Sequence, residues 1–216
     1  MYLPSAFEET RIEVLAGLIR EHPLATLVTQ NDAGLVANHI PMEFDPAPAP
    51  FGVLRAHVAR ANPVWREMQA GSEVLVVFQG QSTYVTPSWY ATKKETGKVV
   101  PTWNYAVVHA RGPLVVRDDP LWLHAFLEKL TDRHESGRAV PWKVGDAPED
   151  FIQAQLRAIV GIEIPLTALV GKWKMSQNRP PADRAGVIRG LQERDAPGDA
   201  QIAAKVAAGV PGPEKR

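Results

Sequence analysis

The decapeptide Leu54-Arg55-Ala56-His57-Val58-Ala59-Arg60-Ala61-Asn62-Pro63 reads as a strand that ends in polar and basic groups and then turns into a helix. Asn62 can cap the helix that Pro63 begins, because proline at the first helical position lacks only a donor that would be unpaired there anyway. Free N–H groups at a helix start favour an anion, and a guanidinium can hold a phosphate by two parallel hydrogen bonds. The pattern predicts a phosphate-binding junction at Arg60, with His57 and Asn62 beside it. A surface arginine next to an ordinary helix cap is the alternative.

Short apolar runs alternate with turn residues on both sides of this junction. They predict strands at 24–29, 35–44, 51–58, 73–78, 83–86, 102–116 and 160–170, with a turn at 80–81 and a bend at 112–113. Helices are predicted at 6–22, 63–68, 120–134 and 149–159, and a polar loop at 92–98. Many short strands in hairpin order with few helices between them indicate a mainly β, α+β protein. We expect a small antiparallel barrel with peripheral helices.

The composition limits the classes of function. The chain has 216 residues, a formal net charge of +0 and 45% hydrophobic residues, which suits a globular domain and not a dedicated nucleic-acid binder. It has no cysteine, so disulfides, zinc–thiolate sites and thiol nucleophiles are excluded. The six histidines show no metal-ligand spacing, so no metal site is predicted. No targeting or membrane-spanning segment is recognisable, and we expect a cytoplasmic protein.

Four segments combine polar, aromatic and basic residues. They are Asn38-His39-Ile40-Pro41, the Arg60 junction, the pair Tyr84-Val85-Thr86-Pro87-Ser88-Trp89-Tyr90 and Val100-Pro101-Thr102-Trp103-Asn104-Tyr105, and Gly171-Lys172-Trp173-Lys174-Met175-Ser176-Gln177-Asn178-Arg179-Pro180. With the start Met1-Tyr2-Leu3-Pro4, these segments resemble the PaiB-like family, which is described as FMN-binding negative transcriptional regulators. The resemblance covers most of the chain.

This resemblance implies a fold, a cofactor and an assembly. The fold would be a split β-barrel of the FMN-binding type, related to the pyridoxamine-phosphate oxidases and flavin reductases. The cofactor would be FMN, held at the interface of a homodimer. We expect the split-barrel domain to span residues 1–178, and residues 179–216 to form a helical, partly disordered extension.

FMN needs a phosphate clamp, polar partners for its ribityl chain and a flat slot for its ring. Arg60, His57 and Asn62 are the phosphate candidates, while Trp89, Tyr90, Trp103 and Tyr105 offer aromatic faces. Further hydrogen bonds could come from Thr86, Ser88, Thr102 and Asn104. Lys174, Ser176, Gln177, Asn178 and Arg179 suit a flavin edge or phosphate, with a solvated polar loop as the alternative. His39 is interpreted as a structural residue.

Three functions are compatible with these residues. The first is regulation of transcription, either by direct DNA contact or through the flavin redox state. The second is a flavin-dependent oxidoreductase that acts on a small molecule with NAD(P)H, and the third is a haem- or flavin-binding module. Predicted helices at 181–193 and 198–207 do not form a convincing helix-turn-helix, because the second is alanine-rich and carries only Lys205 as a basic residue. We expect this pair to pack on the barrel or to fray.

Overall fold

The computed structural model describes residues 1–67 and 72–209, and all structural statements concern these ranges. The strands are β1 (Glu8–Glu9), β2 (Leu24–Asn31), β3 (Gly34–Pro41), β4 (Glu43–Asp45), β5 (Val53–Ala59), β6 (Glu73–Val85), β7 (Thr102–Pro113), β8 (Val115–Arg117), β9 (Ile159–Pro165) and β10 (Ala168–Lys174). The α-helices are α1 (Ile12–Glu21), α2 (Thr92–Thr96), α3 (Pro120–Glu135), α4 (Glu149–Arg157), α5 (Pro181–Arg194) and α6 (Asp199–Ala208). Short 3-10 turns occupy Ser5–Phe7, Pro63–Trp65, Pro87–Trp89 and Val144–Asp146. None of the described helices is long and apolar enough to cross a bilayer.

The fold is α+β with antiparallel sheets, as the sequence predicted. The chain divides into two compact units. The first comprises Met1–His22, Phe78–His109 and Val170–Arg216, and the second comprises Pro23–Val77 and Ala110–Leu169. The helices α5 and α6 therefore belong to the same unit as the N-terminal segment. The separate extension expected from residue 179 onward stays a prediction.

In the first unit the strand order is β1-β10-β7-β6, and helix α1 packs on this sheet. The apolar face of α1 buries Leu15 and Leu18. A side chain at Gly171 would clash with Leu15, and one at Gly80 would crowd Leu18, so both glycines mark a close approach of helix and sheet. Burial of these leucines against the strands fixes α1 in place.

In the second unit the strand orders are β6-β2-β3 and β4-β5-β9-β8. Helix α3 begins after Asp119, whose carboxylate accepts a hydrogen bond from the Leu121 N–H at 2.9 Å and so caps the helix. Its Trp122 ring packs where a side chain at Gly161 of β9 would clash. A small core then joins α3 to α4 through Leu123, Val144, Ile152 and Leu156.

Several predicted elements are confirmed, and others are wrong for identifiable reasons. The helices predicted at 120–134, 149–159, 181–193 and 198–207 are present. The helix predicted at 6–22 begins only at Ile12, because Glu8 and Glu9 pair with β10 instead. The strand predicted at 35–44 is two strands in different sheets, and the strand predicted at 160–170 likewise contains β9 of one sheet and the beginning of β10 of the other. Part of the expected tail, residues 210–216, lies outside the described residues.

Three local predictions are also corrected. The expected turn at residues 80–81 is absent, since β6 runs straight through these positions. The expected polar loop at 92–98 contains helix α2. The helix predicted at 63–68 is a single 3-10 turn over Pro63–Trp65, and its predicted end at residue 68 lies outside the described residues. A turn this short has no helix dipole to offer an anion.

Candidate functional site

A polar depression in the first unit brings together residues from β7 and from the segment that follows β10. Its volume is about 70 Å³, and it is lined by Thr102, Asn104, Lys174, Ser176, Asn178 and Arg179. The sequence predicted a cofactor-binding role for all six of these residues. They converge because β10 and β7 are neighbours in the sheet, so the start of β7 lies beside the end of β10. We call this feature the basic depression.

The floor of the basic depression is held by a buried polar pair. The Asn104 amide donates to the Ser176 hydroxyl at 3.0 Å, and that hydroxyl lies 3.1 Å from the Asn104 carbonyl oxygen. Ser176 has a left-handed φ of 58°, which is unusual for a serine and needs support from its surroundings. Gln177 helps to supply that support, since its side chain accepts from the Met175 N–H at 2.6 Å and donates to the Trp173 carbonyl. Gln177 therefore closes the turn and does not line the depression.

Three cations lie at or near the basic depression. The Lys174 ammonium donates to the Trp103 carbonyl at 2.8 Å and to the Thr102 hydroxyl. Burial lowers the pKa of Lys174, and the charges of Lys172 and Arg179 lower it further. Among the residues that the structure describes, no carboxylate forms a salt bridge with any of the three cations. This electrostatic arrangement favours an anionic ligand, because an anion would relieve the mutual repulsion.

Lys172 lies near the basic depression without lining it, and the sequence analysis did not select it. Its ammonium lies 5.6 Å from the Tyr2 ring centre and 5.4 Å from that of Tyr105, and it donates to the Tyr2 carbonyl. Two residues along a strand face the same side of a sheet, so Lys172 shares a face with Lys174. The spacing of two residues from Lys174 could have identified Lys172 from the sequence. It was not used, because the sequence analysis did not recognise this segment as part of a strand.

The aromatic residues predicted for the ring slot occupy different settings. Trp89 packs against α5, where side chains at Gly186 and Gly190 would clash with it. Tyr90 is buried, and the Arg179 guanidinium lies 4.7 Å from the centre of its ring. Burial raises the pKa of Tyr90, although the charge of Arg179 opposes that rise. Both rings are therefore engaged within the first unit.

Trp103 is the predicted ring-slot residue with the largest exposed surface. It is 55% exposed and meets the 41%-exposed Tyr84 edge to face, with 6.2 Å between ring centres. Thr86 and Ser88 are engaged locally, since the Thr86 hydroxyl accepts from the Ser88 N–H at 3.3 Å and the Ser88 hydroxyl accepts from Lys93 at 3.1 Å. Of the residues predicted for the ring slot, Trp103 therefore offers the most surface to a planar ligand, together with Tyr84.

The Arg60 junction lies in the second unit, and its guanidinium is already occupied. It binds both carboxylate oxygens of Asp118, at 2.5 and 2.9 Å, and donates to the carbonyls of Arg157 and Ile159. The fork that would hold a phosphate holds a carboxylate instead. The phosphate clamp at Arg60 therefore stays a prediction, and any phosphate there would have to displace Asp118.

The neighbours of Arg60 have structural partners as well. Asn62 caps the following turn, as predicted, by accepting from the Val64 N–H at 3.0 Å, and its amide donates to Asn38 at 2.9 Å. The His57 ring lies edge to face with Phe126 at 6.0 Å, and burial lowers the pKa of His57. A histidine with a lowered pKa is neutral at pH 7 and contributes no charge to a phosphate. The structural interpretation of His39 is not tested, and its side chain lies exposed on β3.

A second depression, of about 140 Å³, lies beside Asn62 in the second unit. It is lined by Thr29, Asn31, Val36, Asn38, Asn62, Pro63, Val64 and Glu67. Its described lining contains amides and one carboxylate but no lysine or arginine. An anion would find no counter-charge there, so the basic depression fits the phosphate of FMN better. The residues of the basic depression offer hydroxyl, amide, ammonium and guanidinium donors, which is the chemistry that a phosphate ester requires.

Antiparallel sheets flanked by helices, with a basic depression whose described lining contains no carboxylate, suit a split-barrel protein that binds an anionic cofactor. The chain matches the family described as "Putative FMN-binding domain" over residues 1–168, and it belongs to that family. FMN is therefore its cofactor, and the resemblance to the PaiB-like family is confirmed.

Two relatives and one solved structure show the extent of the similarity. The chain is 36% identical over 228 residues to protein AN0679 of Emericella nidulans, with 89% of this chain and 90% of the relative covered. It is 31% identical over 205 residues to the protein named "Protease synthase and sporulation protein PAI 2" of Bacillus subtilis, with 94% and 95% covered. The FAD and heme binding protein from Mycobacterium smegmatis has a similar fold. Its TM-score is 0.57, with 19% identity and coverage of 77% of this chain and 73% of that one.

Proposed function

We propose that the protein is a homodimeric, FMN-binding negative regulator of transcription, and that the basic depression holds the phosphate of FMN. The observation that carries the placement is the set of three cations, Lys172, Lys174 and Arg179, without a carboxylate partner among the described residues. The regulatory output is supported by the likeness to PAI 2, whose name refers to protease synthase and sporulation.

The lining residues would divide the work of binding. Lys174 and Arg179 would neutralise the phosphate, and Asn104, Ser176 and Asn178 would hydrogen-bond its oxygens or the ribityl hydroxyls. The exposed Trp103 ring would offer a flat apolar surface to the isoalloxazine. When bound, FMN supplies one- and two-electron redox chemistry, and the residues of this chain bind it, orient it and set its electrostatic surroundings.

Titration with FMN and riboflavin tests this placement. Riboflavin lacks the phosphate, so Lys174→Ala should weaken FMN about tenfold and change riboflavin by about twofold at most. Lys94→Ala is the matched control, because Lys94 is an exposed lysine of α2 outside the depression and its loss changes the net charge equally. Equal losses for both flavins in Lys174→Ala would place the phosphate elsewhere.

A homodimer is supported by the outer face of the β2–β3 hairpin. Leu24 is 62% exposed and Leu35 is 76% exposed. Gln30 is six residues from Leu24 in β2, and because side chains alternate along a strand, the two share a face of the sheet. Leu35 pairs with Gln30 and therefore lies on the same face as Leu24. A second copy of the chain would cover this surface. Light scattering should give twice the mass of the chain, and Leu35→Lys should shift that mass toward the monomer; a wild-type protein with the monomer mass would refute the dimer.

Two of the three arginines of α5 are engaged within the first unit, which argues against α5 as a basic recognition helix. Arg184 of α5 donates to the Val206 carbonyl, and Arg194 binds the Asp199 carboxylate. We therefore propose that regulation depends on the flavin state and not on this helix pair. Loss of the gene should raise transcription of a limited gene set. Wild type and Lys94→Ala should restore repression while Lys174→Ala should not, and an unchanged transcript profile would refute the regulatory role.

The exposed Trp103–Tyr84 pair favours a second candidate, a flavin-dependent oxidoreductase that acts on a small molecule. The pair lies beside Lys174, whose ammonium donates to the Trp103 carbonyl, so a planar ligand could stack next to a positive charge. The oxidoreductase requires NADH or NADPH to bleach the flavin absorbance without oxygen, and an acceptor to restore it. Failure of both nucleotides would exclude this NAD(P)H-dependent reaction.

A further inference from the structure

A buried carboxylate on α5 joins that helix to the start of α2, which lies between β6 and β7 in the chain. Asp183 is 0% exposed and accepts two hydrogen bonds from Thr92, one from the N–H at 3.0 Å and one from the hydroxyl at 2.8 Å. A buried carboxylate needs such partners, because it is costly to remove from water alone. The Asp183–Thr92 link therefore fixes the start of α2 against the first turn of α5.

The same segment is held to α5 at a second place. Trp89 fills the space above Gly186 and Gly190, where any side chain would clash with it. The Arg194 guanidinium lies 5.1 Å from the centre of the Trp89 ring. Residues 86–96 and α5 thus form one packed assembly, which we call the α5 clamp.

The α5 clamp reaches the basic depression through Arg179. This arginine lines the depression and lies over the ring of Tyr90, which is buried and precedes Thr92 by two residues. Arg179 also precedes Asp183 by four residues. Arg179 is therefore positioned by the segment that contains Tyr90 and Thr92 and by the segment that leads into α5. The Asp183–Thr92 link joins these two segments.

We propose that Asp183 is a positioning residue, which holds Arg179 at the basic depression by anchoring Thr92. This inference rests on the proposed placement of the FMN phosphate in that depression. Arg179 and Asp183 lie beyond residue 168, where the family match ends, whereas Tyr90 and Thr92 lie within it. If the link opens, Tyr90 and α5 separate, and Arg179 loses the ring that orients its guanidinium.

The experiment compares Thr92→Val with Thr92→Ser. Valine has nearly the shape of threonine but no hydroxyl, whereas serine keeps the hydroxyl that donates to Asp183. FMN and riboflavin affinities are measured by flavin fluorescence, and folding is checked by circular dichroism. We expect Thr92→Val to weaken FMN about fivefold and riboflavin by less than twofold, and Thr92→Ser to bind FMN within twofold of wild type.

Asp183→Asn and Asp199→Asn provide a second pair. Both aspartates are buried on C-terminal helices, but Asp199 binds Arg194 at the opposite end of α5 from Asp183 and contacts neither Tyr90 nor Thr92. Asp183→Asn should lower the ratio of FMN to riboflavin affinity, and Asp199→Asn should lower thermal stability while leaving the ratio unchanged. A ratio that stays at the wild-type value in both Thr92→Val and Asp183→Asn would overturn the positioning role.

The variant Lys174→Ala distinguishes a failure of the positioning role of Asp183 from a failure of the proposed phosphate site. If it weakens FMN selectively while Thr92→Val does not, the depression binds the phosphate and only the positioning role is refuted. If neither variant changes the ratio of affinities, the phosphate lies elsewhere and the proposed function fails first.

Discussion

Replacing Asp199 by asparagine tests how the C-terminal helices are held. The Asp199 side chain is 2% exposed and accepts from Arg194 at 2.6 and 2.7 Å, from the Ala196 N–H at 3.1 Å and from the Thr83 hydroxyl at 3.2 Å. Breaking a buried ion pair from one side costs about 3–5 kcal/mol. Because the Arg194 side chain is 34% exposed and asparagine keeps one acceptor oxygen, we expect a loss of about 2 kcal/mol. For a chain of this size that corresponds to a fall in melting temperature of about 4–8 °C.

The assay is thermal and urea denaturation of wild type and Asp199→Asn at several pH values. Hydrogen bonds from Arg194 outweigh burial and lower the pKa of Asp199 below its usual 3.8. A carboxylate with a lowered folded-state pKa stabilises the protein above its unfolded-state pKa, and this contribution is lost as the pH falls through the folded-state pKa. The two proteins should therefore differ fully at pH 7 and converge as the pH falls below 3.8. A difference under about 1 °C at pH 7 would refute the reasoning.

Three further predictions concern Arg60, Gly190 and Lys174. Because Asp118 occupies the guanidinium of Arg60, Arg60→Ala should change the affinities for FMN and riboflavin equally. The phosphate clamp predicted from the sequence requires FMN to weaken much more than riboflavin, and titration by flavin fluorescence distinguishes the two outcomes. Gly190→Ala should lower the melting temperature by several degrees, since its methyl group meets an indole ring, whereas Gly17→Ala in open space should not lower it. Burial lowers the pKa of Lys174 below the usual 10.5 of a lysine, and neighbouring cations lower it further. Lys174 should therefore lose its charge as the pH rises toward 10.5, and the affinity for FMN should fall with it. An unchanged FMN affinity between pH 7 and 10 would contradict the role of Lys174 in phosphate binding.

The sequence predicted elements well where the signals were local. Helix α3 has its cap, its first-turn proline and its apolar spacing within one stretch of chain, and the structure confirms it. Helix α2 was missed because residues 92–98 are polar and carry no apolar spacing. Its first residue, Thr92, is held by Asp183, which is 91 residues away in the chain. A contact of that range leaves no local sequence pattern.

Glycine was the least reliable of the local signals. Gly80 was taken as a turn residue, yet it lies within β6, where a side chain would crowd Leu18 of α1. Gly171 lies within β10 for a similar reason, since it faces Leu15. In both cases the glycine makes room for a helix packed on the sheet and does not reverse the chain. Sequence alone cannot separate these two uses.

The candidate site shows the same difference between signals that are local in the sequence and contacts that are distant in it. The residues around Lys174 could be grouped because their types suit an anion and the sheet brings them together with Thr102 and Asn104. Arg60 suits an anion equally well by type, but Asp118, 58 residues away, already occupies its guanidinium. A cation is available to a cofactor only when the fold gives it no carboxylate, and that depends on the strands and loops around it.

The family match covers only part of the basic depression. It ends at residue 168, yet four of the six residues that line the basic depression, Lys174, Ser176, Asn178 and Arg179, lie beyond it. The matched part of the chain supplies Thr102 and Asn104, which are neutral, and the unmatched part supplies the positive charge. If the phosphate of FMN binds in this depression, affinity for FMN over riboflavin depends on the segment from Lys174 to Arg179 and on the α5 clamp. Substitutions there should change cofactor selectivity without changing the barrel.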